Sequence, residues 1–276
     1  MKENGPVLFY QKRMVAFLDV MGFKALLASS PHALEALQKF YDDTIDFLEG
    51  KTQVYEQTAA KDGFRKMFVS DAVILTVEMS EDHNTNLNRA ERFFSAISLL
   101  QYLSAIKSKT WMRGAVSVGD LFIDEKSNIL VGPAFVEAFE LEKKANYPRV
   151  IVHPKVCGFF GKTAIALTTE INSVRTSAKL LCPNPSAPWG RNLPTNRDAI
   201  QIDWFRQAFD RRESTTSFFL DLQTRMNTSQ DLFEKGQLLL SYIRESYDDF
   251  SLEQGHHEKG NERLIEVDSK LKFFGY

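Results

Sequence analysis

Two short segments of the chain each set an aspartate among apolar residues that favour β-strands. In FLDVMGF, residues 17–23, Asp19 stands near the end of an apolar run and Gly22 follows three positions later. In FVSDAV, residues 68–73, Asp71 has similar neighbours. A buried carboxylate is costly unless a cation compensates its charge, and two carboxylates at one sheet edge can hold two divalent ions for in-line displacement at phosphorus. An all-oxygen site favours Mg2+ or Mn2+.

Each segment also has a purely structural interpretation. Asp19 alone could cap the turn that follows its strand, so this segment by itself leaves both interpretations open. Gly22 permits close approach of the backbone, and amide groups after the turn could face phosphate oxygens while Asp19 faces a metal ion. The pair favours chemistry more than either acid alone, because Asp19 and Asp71 emerge at the same sheet edge if their strands are neighbours.

The elements that must position these acids follow from apolar periodicity. Residues 14–20 predict a buried strand. Residues 30–50 predict a helix, which begins with a serine cap and a proline in its first turn. Residues 64–77 predict two strands joined by a tight turn, with Asp71 at the tip.

A second helix is predicted after the polar residues 78–89, and residues 111–123 resume the strand pattern. The inner side of this helix is assigned to Phe93, Ile97, Leu100 and Ser104. The resulting order, βαββαβ, predicts an α+β fold with helices on one face of the sheet.

The rest of the chain is predicted to add one more helix, a loop and a helical extension. Gly132-Pro133 opens the helix, and its inner side is assigned to Phe135, Ala138, Leu141, Glu142 and Ala145. Tyr147-Pro148 ends it before a strand at 149–152. The proline-rich residues 182–196 predict a loop between a catalytic domain at 12–181 and a mainly helical extension at 198–276. Helices within the extension are predicted at 218–226, 232–247 and 263–273.

Composition argues against several classes of protein. The formal charge of -2 gives no general attraction to nucleic acid. Two cysteines without a Cys-x-x-Cys spacing suggest neither disulfides nor zinc. No apolar run approaches the ~20 residues of a membrane span, so we expect a cytoplasmic protein without membrane insertion. His256-His257 is interpreted as a solvated loop, and tryptophans 111, 189 and 204 are interpreted as packing residues.

Four ordered segments, FLDVMGF, FVSDAV, MRGAVSVGDLF and ILVGPAFVEAFELE, resemble the successive motifs of class III nucleotide cyclases across about residues 12–155. The resemblance implies a ferredoxin-like core in which Asp19 and Asp71 bind two divalent ions, Mn2+ or Mg2+. It also implies that the Val20 carbonyl is a metal ligand and that Gly22 and Phe23 lie near the phosphates. The implied reaction is attack of the ribose 3′-hydroxyl on the α-phosphorus, in a head-to-tail homodimer whose isolated monomer is inactive.

The chain departs from the purine cyclases at four positions. Met67 and Ile129 stand where that family has the lysine and aspartate that contact the base, while Val136 and Glu140 replace its asparagine and transition-state arginine. GPAFVEAFELE, YPRVIV and FVSDAV more closely resemble the pyrimidine cyclases of bacterial anti-phage systems, called Pycsar. That resemblance implies UTP or CTP as substrate, a 3′,5′-cyclic monophosphate as product, and a separate effector that responds to it.

Several roles stay open at this level. Arg113, Lys143, Lys144 and Arg149 are candidates for the cation that assists the reaction, and each also fits ordinary surface charge; Arg113 is the one assigned to substrate binding. Tyr55 and Arg65, which flank the hairpin, are candidate base contacts. One alternative is an adenylate or guanylate cyclase with altered base contacts. The other is a degenerate domain that binds nucleotide as a sensor or scaffold, which the presence of both acids disfavours.

Overall fold

The computed structural model describes residues 9–23, 35, 38–45, 64–124, 126–174, 179–183, 200–210, 214–254 and 262–276. The strands are β1 Gln11–Val20, β2 Arg65–Val69, β3 Ala72–Glu78, β4 Met112–Asp124, β5 Ile129–Val131, β6 Val150–Val152, β7 Leu181–Pro183 and β8 Ile200–Ile202. The helices are α1 His83–Lys107, α2 Pro133–Glu142, α3 Pro154–Phe160, α4 Ala164–Val174, α5 Gln207–Asp210, α6 Thr216–Met226, α7 Gln230–Gln254 and α8 Glu262–Phe273. Residues 38–45 are also helical, and the rest of the helix predicted at 30–50 lies outside the described residues, apart from residue 35.

The strands form one mixed sheet in the order β2-β3-β1-β4-β6-β8-β7, and β5 pairs with the far part of β4. The first four strands in this order are antiparallel to one another where they pair, and β4 pairs with β6 in parallel. Read from β4, they give β4-β1-β3-β2, which is the strand order of a ferredoxin-like βαββαβ unit. The α+β prediction is therefore confirmed, and so is the predicted hairpin between β2 and β3.

Alternate residues of β1 face opposite sides of the sheet. Met14, Ala16 and Leu18 belong to the main hydrophobic cluster, which includes α1 and Phe40 of the helical residues 38–45. The two helical segments of the βαββαβ unit therefore lie on one face, as predicted. Helix α2 packs against the other face, where Phe17 contacts Ala134 and Ala138 in a second cluster. The sheet thus has helices on both faces, and its central strand is buried on both sides.

Helix α2 is shorter than its apolar pattern predicts. It ends at Glu142, and the chain turns there through backbone hydrogen bonds from Lys144 N to the Leu141 carbonyl and from Ala145 N to the Glu142 carbonyl. Ala145 lies beyond the helix but stays buried, beside Leu141. At the other end, a Cβ on Gly132 would lie 2.3 Å from the Asp120 carbonyl oxygen, so only glycine lets α2 begin this close to β4.

The sheet continues beyond the proline-rich segment. Strand β8 pairs with β6, and the following Trp204 is fully buried and donates from its indole nitrogen to the Pro148 carbonyl at 3.0 Å. Next to it, buried Asp203 accepts hydrogen bonds from Tyr242 and Ser246 of α7 at 2.7 and 2.9 Å. The division into 12–181 and 198–276 stays a prediction, but both parts contribute to one sheet and one hydrophobic cluster.

The three helices predicted for the extension are present as α6, α7 and α8, although α7 is longer than its apolar pattern. Trp111 and Trp204 are both buried, as expected of packing residues. Among the described helices, none combines the length and the apolar character that crossing a bilayer requires.

Replacing Trp204 by alanine should destabilise the whole fold. The side chain is buried between the sheet and α7, so its loss removes a large apolar volume and a hydrogen bond to Pro148, at a cost of about 3–5 kcal/mol. The free energy of urea unfolding measures this. Leu252→Ala on α7 is the control, because Leu252 is 81% exposed and should change stability little. Equal effects of the two substitutions would contradict the burial described above.

Candidate functional site

Asp19 and Asp71 lie at the same edge of the sheet. Asp19 is the ninth residue of β1 and pairs in register with Ala72 of β3, the residue directly after Asp71. Asp71 lies in the turn of the β2–β3 hairpin, where the preceding Ser70 takes a positive φ of 55°. The backbone amide of Val20 donates to the Asp71 carbonyl at 3.2 Å and ties the end of β1 to this turn. The structure therefore brings together the two acids selected from the sequence.

Arg113 joins this pair from the other neighbour of β1. It stands opposite Asp19 in the β1–β4 register, and its Nη2 donates to Asp19 Oδ2 at 3.4 Å. Its Nη1 donates to the carbonyl of Ala145 at 3.5 Å, and its Nε lies 2.5 Å from Glu142 Oε1. The guanidinium thus links β1 to the segment at the end of α2. It contacts two carboxylates that belong to different elements.

The site has an excess of negative charge. Burial raises the pKa of Asp19, the charge of Asp71 raises it further, and Arg113 opposes both effects. The pKa of Glu142 is also raised, mainly by burial; Arg113 opposes this, whereas Asp19 and Asp71 add to it. Asp19 therefore lies within electrostatic range of two other carboxylates and of the Arg113 guanidinium. A divalent cation would relieve the repulsion between Asp19 and Asp71, so these residues fit the predicted metal ions.

The described residues contain no group of three or more His, Cys, Asp or Glu side chains arranged to hold a metal. Protein ligands would then be the two aspartates and backbone oxygens. Mg2+ commonly binds in this way, through one or two carboxylates, with water and substrate phosphates as its other ligands. The assignment of the Val20 carbonyl as a ligand stays a prediction.

The turn after Asp19 has the backbone form that its glycine predicts. Gly22 has φ = +78°, a conformation that favours glycine, and among the described residues other than its chain neighbours no atom lies within 4 Å of where its Cβ would be. Met21 N donates to the Trp111 carbonyl at 2.8 Å, which ties the turn to β4. The Phe23 side chain packs against the main hydrophobic cluster, so its backbone is the part that could approach phosphates.

None of the three apolar residues at the departures from the purine cyclases has a polar side-chain atom with which to contact a base. Met67 packs against the cluster beneath α2, while Ile129 and Val136 are 44% and 54% exposed. Glu140 is exposed and lies 3.9 Å from Lys143. Ile129 on β5 and Val136 on α2 are therefore exposed apolar groups, whereas Glu140 on α2 keeps a charge.

Of the four cationic candidates, Arg113 is the one for which a contact with Asp19 is seen in the described part of the chain. Lys143 lies over the Phe139 ring at 4.2 Å, and Lys144 is exposed. Arg149 is buried and donates to the Lys144 carbonyl and to Asn146 Oδ1 at 3.0 and 2.8 Å, which assigns it a structural role behind the site.

The base contacts suggested from the sequence gain no support from the described residues. Arg65 is exposed and donates to the carbonyl of Phe64. Tyr55 lies outside the described residues, as do Trp189 and the two histidines at 256 and 257.

Two residues near the acids were not selected as site residues. Glu142 stood among the apolar inner positions of α2, and a lone carboxylate in such a row is a signal for a buried partner. Tyr41 lies within the helix predicted at residues 30–50. The centroid of its ring lies 5.2 Å from that of Phe68, in an edge-to-face arrangement. Its buried hydroxyl has no hydrogen-bond partner among the described residues. Burial raises the pKa of Tyr41, and the nearby charge of Asp71 raises it further.

No protein-family model matches the sequence, and no curated protein matches it either. Among solved structures, the chain is similar to the adenylyl cyclase CyaB from P. aeruginosa, with 13% identity, a TM-score of 0.41, and coverage of 71% of this chain and 95% of that one. It is also similar to the guanylyl cyclase Cya2, with 9% identity, a TM-score of 0.39, and coverage of 71% and 91%. A third is the guanylyl cyclase domain of the RhoGC fusion protein from the fungus Blastocladiella emersonii, with 14% identity, a TM-score of 0.38, and coverage of 55% and 86%. These TM-scores are too low to support a functional assignment.

Replacing Asp19 by asparagine should flatten the pH dependence of stability in metal-free protein. Because the pKa of Asp19 is raised in the fold, the folded protein keeps this proton to higher pH than the unfolded chain does. Its stabilising contribution is present at low pH and is lost as the pH rises through the folded-state pKa. Urea unfolding from pH 4 to 8 in a chelator should therefore show the wild type losing stability relative to Asp19→Asn as the pH increases.

Asp120→Asn is the matched control, because Asp120 is half-exposed on β4 and pairs with Lys12. It should leave the pH dependence of the wild type unchanged. Adding Mn2+ at pH 7 should stabilise the wild type and the control far more than Asp19→Asn, since ligands that bind only the folded state raise its stability. Parallel pH curves for the wild type and Asp19→Asn would refute a desolvated carboxylate at this edge.

Proposed function

We propose that this protein is a nucleotide cyclase that converts UTP or CTP into the 3′,5′-cyclic monophosphate and pyrophosphate. The observation on which the proposal rests is the grouping of Asp19, Asp71 and Arg113 at one edge of a ferredoxin-like sheet. Two carboxylates and one cation in a partly open site match the needs of phosphoryl chemistry. Carboxylates of this kind bind metal ions, and the cation offsets the negative charge of the phosphates.

In this reaction the residues mainly bind and orient. Asp19 and Asp71 would hold two divalent ions, which when bound lower the pKa of the ribose 3′-hydroxyl and neutralise charge at the triphosphate. Arg113 would contact the triphosphate with the guanidinium nitrogens that face the site. The open backbone at Gly22 allows phosphate oxygens to approach the amide groups of the turn.

Met67 and Ile129 support pyrimidine specificity, because neither has a polar side-chain group of the kind with which purine cyclases contact the base. A buried polar group that reads a purine would discriminate strongly, because its hydrogen bonds are lost with another base. Neither side chain offers such a group. The resemblance to the Pycsar cyclases adds the biological part of the proposal: a cytoplasmic enzyme whose product activates a separate effector during anti-phage defence.

A homodimer is the assembly we propose. Exposed apolar side chains occur on β5 and α2 at Ile129, Val131, Val136 and Phe139, with exposures from 39% to 54%. Apolar side chains concentrated on adjacent elements commonly mark an interaction surface. A second copy of the chain is the occupant that the cyclase resemblance implies, since class III sites form between two catalytic domains.

Purified protein incubated with each of the four nucleoside triphosphates and Mn2+ should yield a cyclic product from UTP or CTP, together with pyrophosphate. Chromatography and mass spectrometry of the products test this. Asp71→Ala should abolish turnover, whereas Asp120→Ala, which removes a half-exposed carboxylate from β4, should retain it.

The same assay separates the alternatives. A cyclic purine product would identify an adenylate or guanylate cyclase. Nucleotide-dependent thermal stabilisation without any product, from folded dimeric protein, would favour the binding scaffold and would contradict an enzymatic role.

Replacing Val136 by lysine should convert the dimer to a monomer and remove activity. The side chain is 54% exposed on α2, and a charge there would have to be desolvated in an apolar interface. Light scattering coupled to size-exclusion chromatography measures the mass, and Leu252→Lys on α7 is the control. A wild-type monomer with full cyclase activity would rule out the dimeric site.

A further inference from the structure

The guanidinium of Arg113 has contacts in two directions, at different distances. At the end of α2, its shortest contact is an ion pair, in which Nε lies 2.5 Å from Glu142 Oε1, and the carbonyl of Ala145 accepts a hydrogen bond from Nη1. Toward β1, its contact with Asp19 is long, at 3.4 Å. Arg113 therefore has two contacts on the α2 side of the site and one with Asp19.

Burial explains why the Glu142 contact must persist. The Glu142 side chain is 4% exposed, against 23% for Asp19 and 30% for Arg113. A carboxylate buried to this degree without its cation is strongly destabilising. Asp19 is more exposed and has an alternative partner if a metal ion binds, so its contact with Arg113 is the one that can be released.

Arginine suits this double role because its planar fork presents five N–H donors along different edges. The Nε edge faces Glu142, and Nη2 faces Asp19. If Glu142 were uncharged, the guanidinium would have Asp19 as the remaining carboxylate among its described contacts. It would then neutralise the carboxylate that a divalent cation needs.

We propose that Glu142 is a positioning residue that holds Arg113 at the end of α2. Arg113 can then release the Asp19 carboxylate to a divalent cation and still remain in the site. The inference rests on the proposed function for the identity of the cation. It assigns no metal contact to Glu142 itself, whose effect passes through Arg113. A phosphate that later enters the site would meet a guanidinium already held in position.

A double-mutant cycle on Mn2+ affinity tests the proposal. Affinity is measured by titration calorimetry and by the electron paramagnetic resonance signal of free Mn2+, without nucleotide, for the wild type, Glu142→Gln, Arg113→Met and the double variant. Glu142→Gln should weaken Mn2+ binding at least about fivefold, whereas in the Arg113→Met background it should change binding less than about twofold, since residues in contact are coupled. Circular dichroism and thermal melts establish that each variant is folded.

Glu137→Gln is the matched control. Glu137 lies on the same helix and pairs with Lys155 and Ser117, over a part of β4 about 13 Å from Arg113 at ~3.3 Å per residue. It should leave Mn2+ affinity unchanged. If Arg113→Met does not fold, because it leaves Glu142 buried without a partner, Arg113→Gln takes its place in the cycle, since the glutamine amide can donate a hydrogen bond to Glu142.

Three results would overturn the proposal. An equal loss of affinity in both backgrounds would mean that Glu142 acts directly on the metal ion, and no loss in either would mean that it does not affect the site. In both cases the wild type still binds Mn2+, so the proposed cyclase function is untouched. A wild type that binds no Mn2+ at millimolar concentration would instead refute the proposed metal site, and the role of Glu142 with it.

Discussion

The pairing of β1 with both β3 and β4 is the constraint on which the site depends. Hydrogen bonds run along both edges of β1, and hydrophobic clusters cover both of its faces. The strands approach so closely that a Cβ on Gly114 would lie 2.5 Å from the Phe17 carbonyl oxygen. A slip by one residue would turn Asp19 to the opposite face of the sheet and break its register with Arg113. The fold therefore fixes the position of this carboxylate through its backbone.

This fixed position is unfavourable for a carboxylate in the absence of a cation. Asp19 is partly desolvated and close to Asp71, and the guanidinium that offsets its charge is shared with Glu142. A site built only for stability would not set three acids close to one another with one arginine shared between two of them. Functional sites commonly keep such locally destabilising groups, because binding of a ligand removes the repulsion between them. The same feature makes metal affinity sensitive to small changes in how Arg113 is held.

The sequence allowed prediction of the features that depend on local pattern. Asp19, Asp71, the hairpin that carries Asp71 and the start of α2 at Gly132-Pro133 all follow from strand ends, turn residues and helix signals. The contact of Glu142 with Arg113 could not be predicted, because periodicity identifies an inner side of a helix but not the face of the sheet it covers. Strand β8 has three residues, which is too short for any pattern, and its place beside β6 depends on packing around Trp204.

Helix α6, near the C-terminus, is connected to the candidate site through contacts with Trp111. The Trp111 ring lies 6.2 Å from that of Phe218 in α6, and the guanidinium of Arg225 lies over it at 4.4 Å. The backbone carbonyl of Trp111 accepts a hydrogen bond from Met21 N in the turn after Asp19, and Arg113 follows Trp111 by two residues. Helix α6, the start of β4 and the turn that would approach phosphates are therefore consecutive contacts of one packed unit. Any displacement of α6 must be transmitted to this turn or be absorbed by repacking around Trp111, because close-packed interiors leave little free volume.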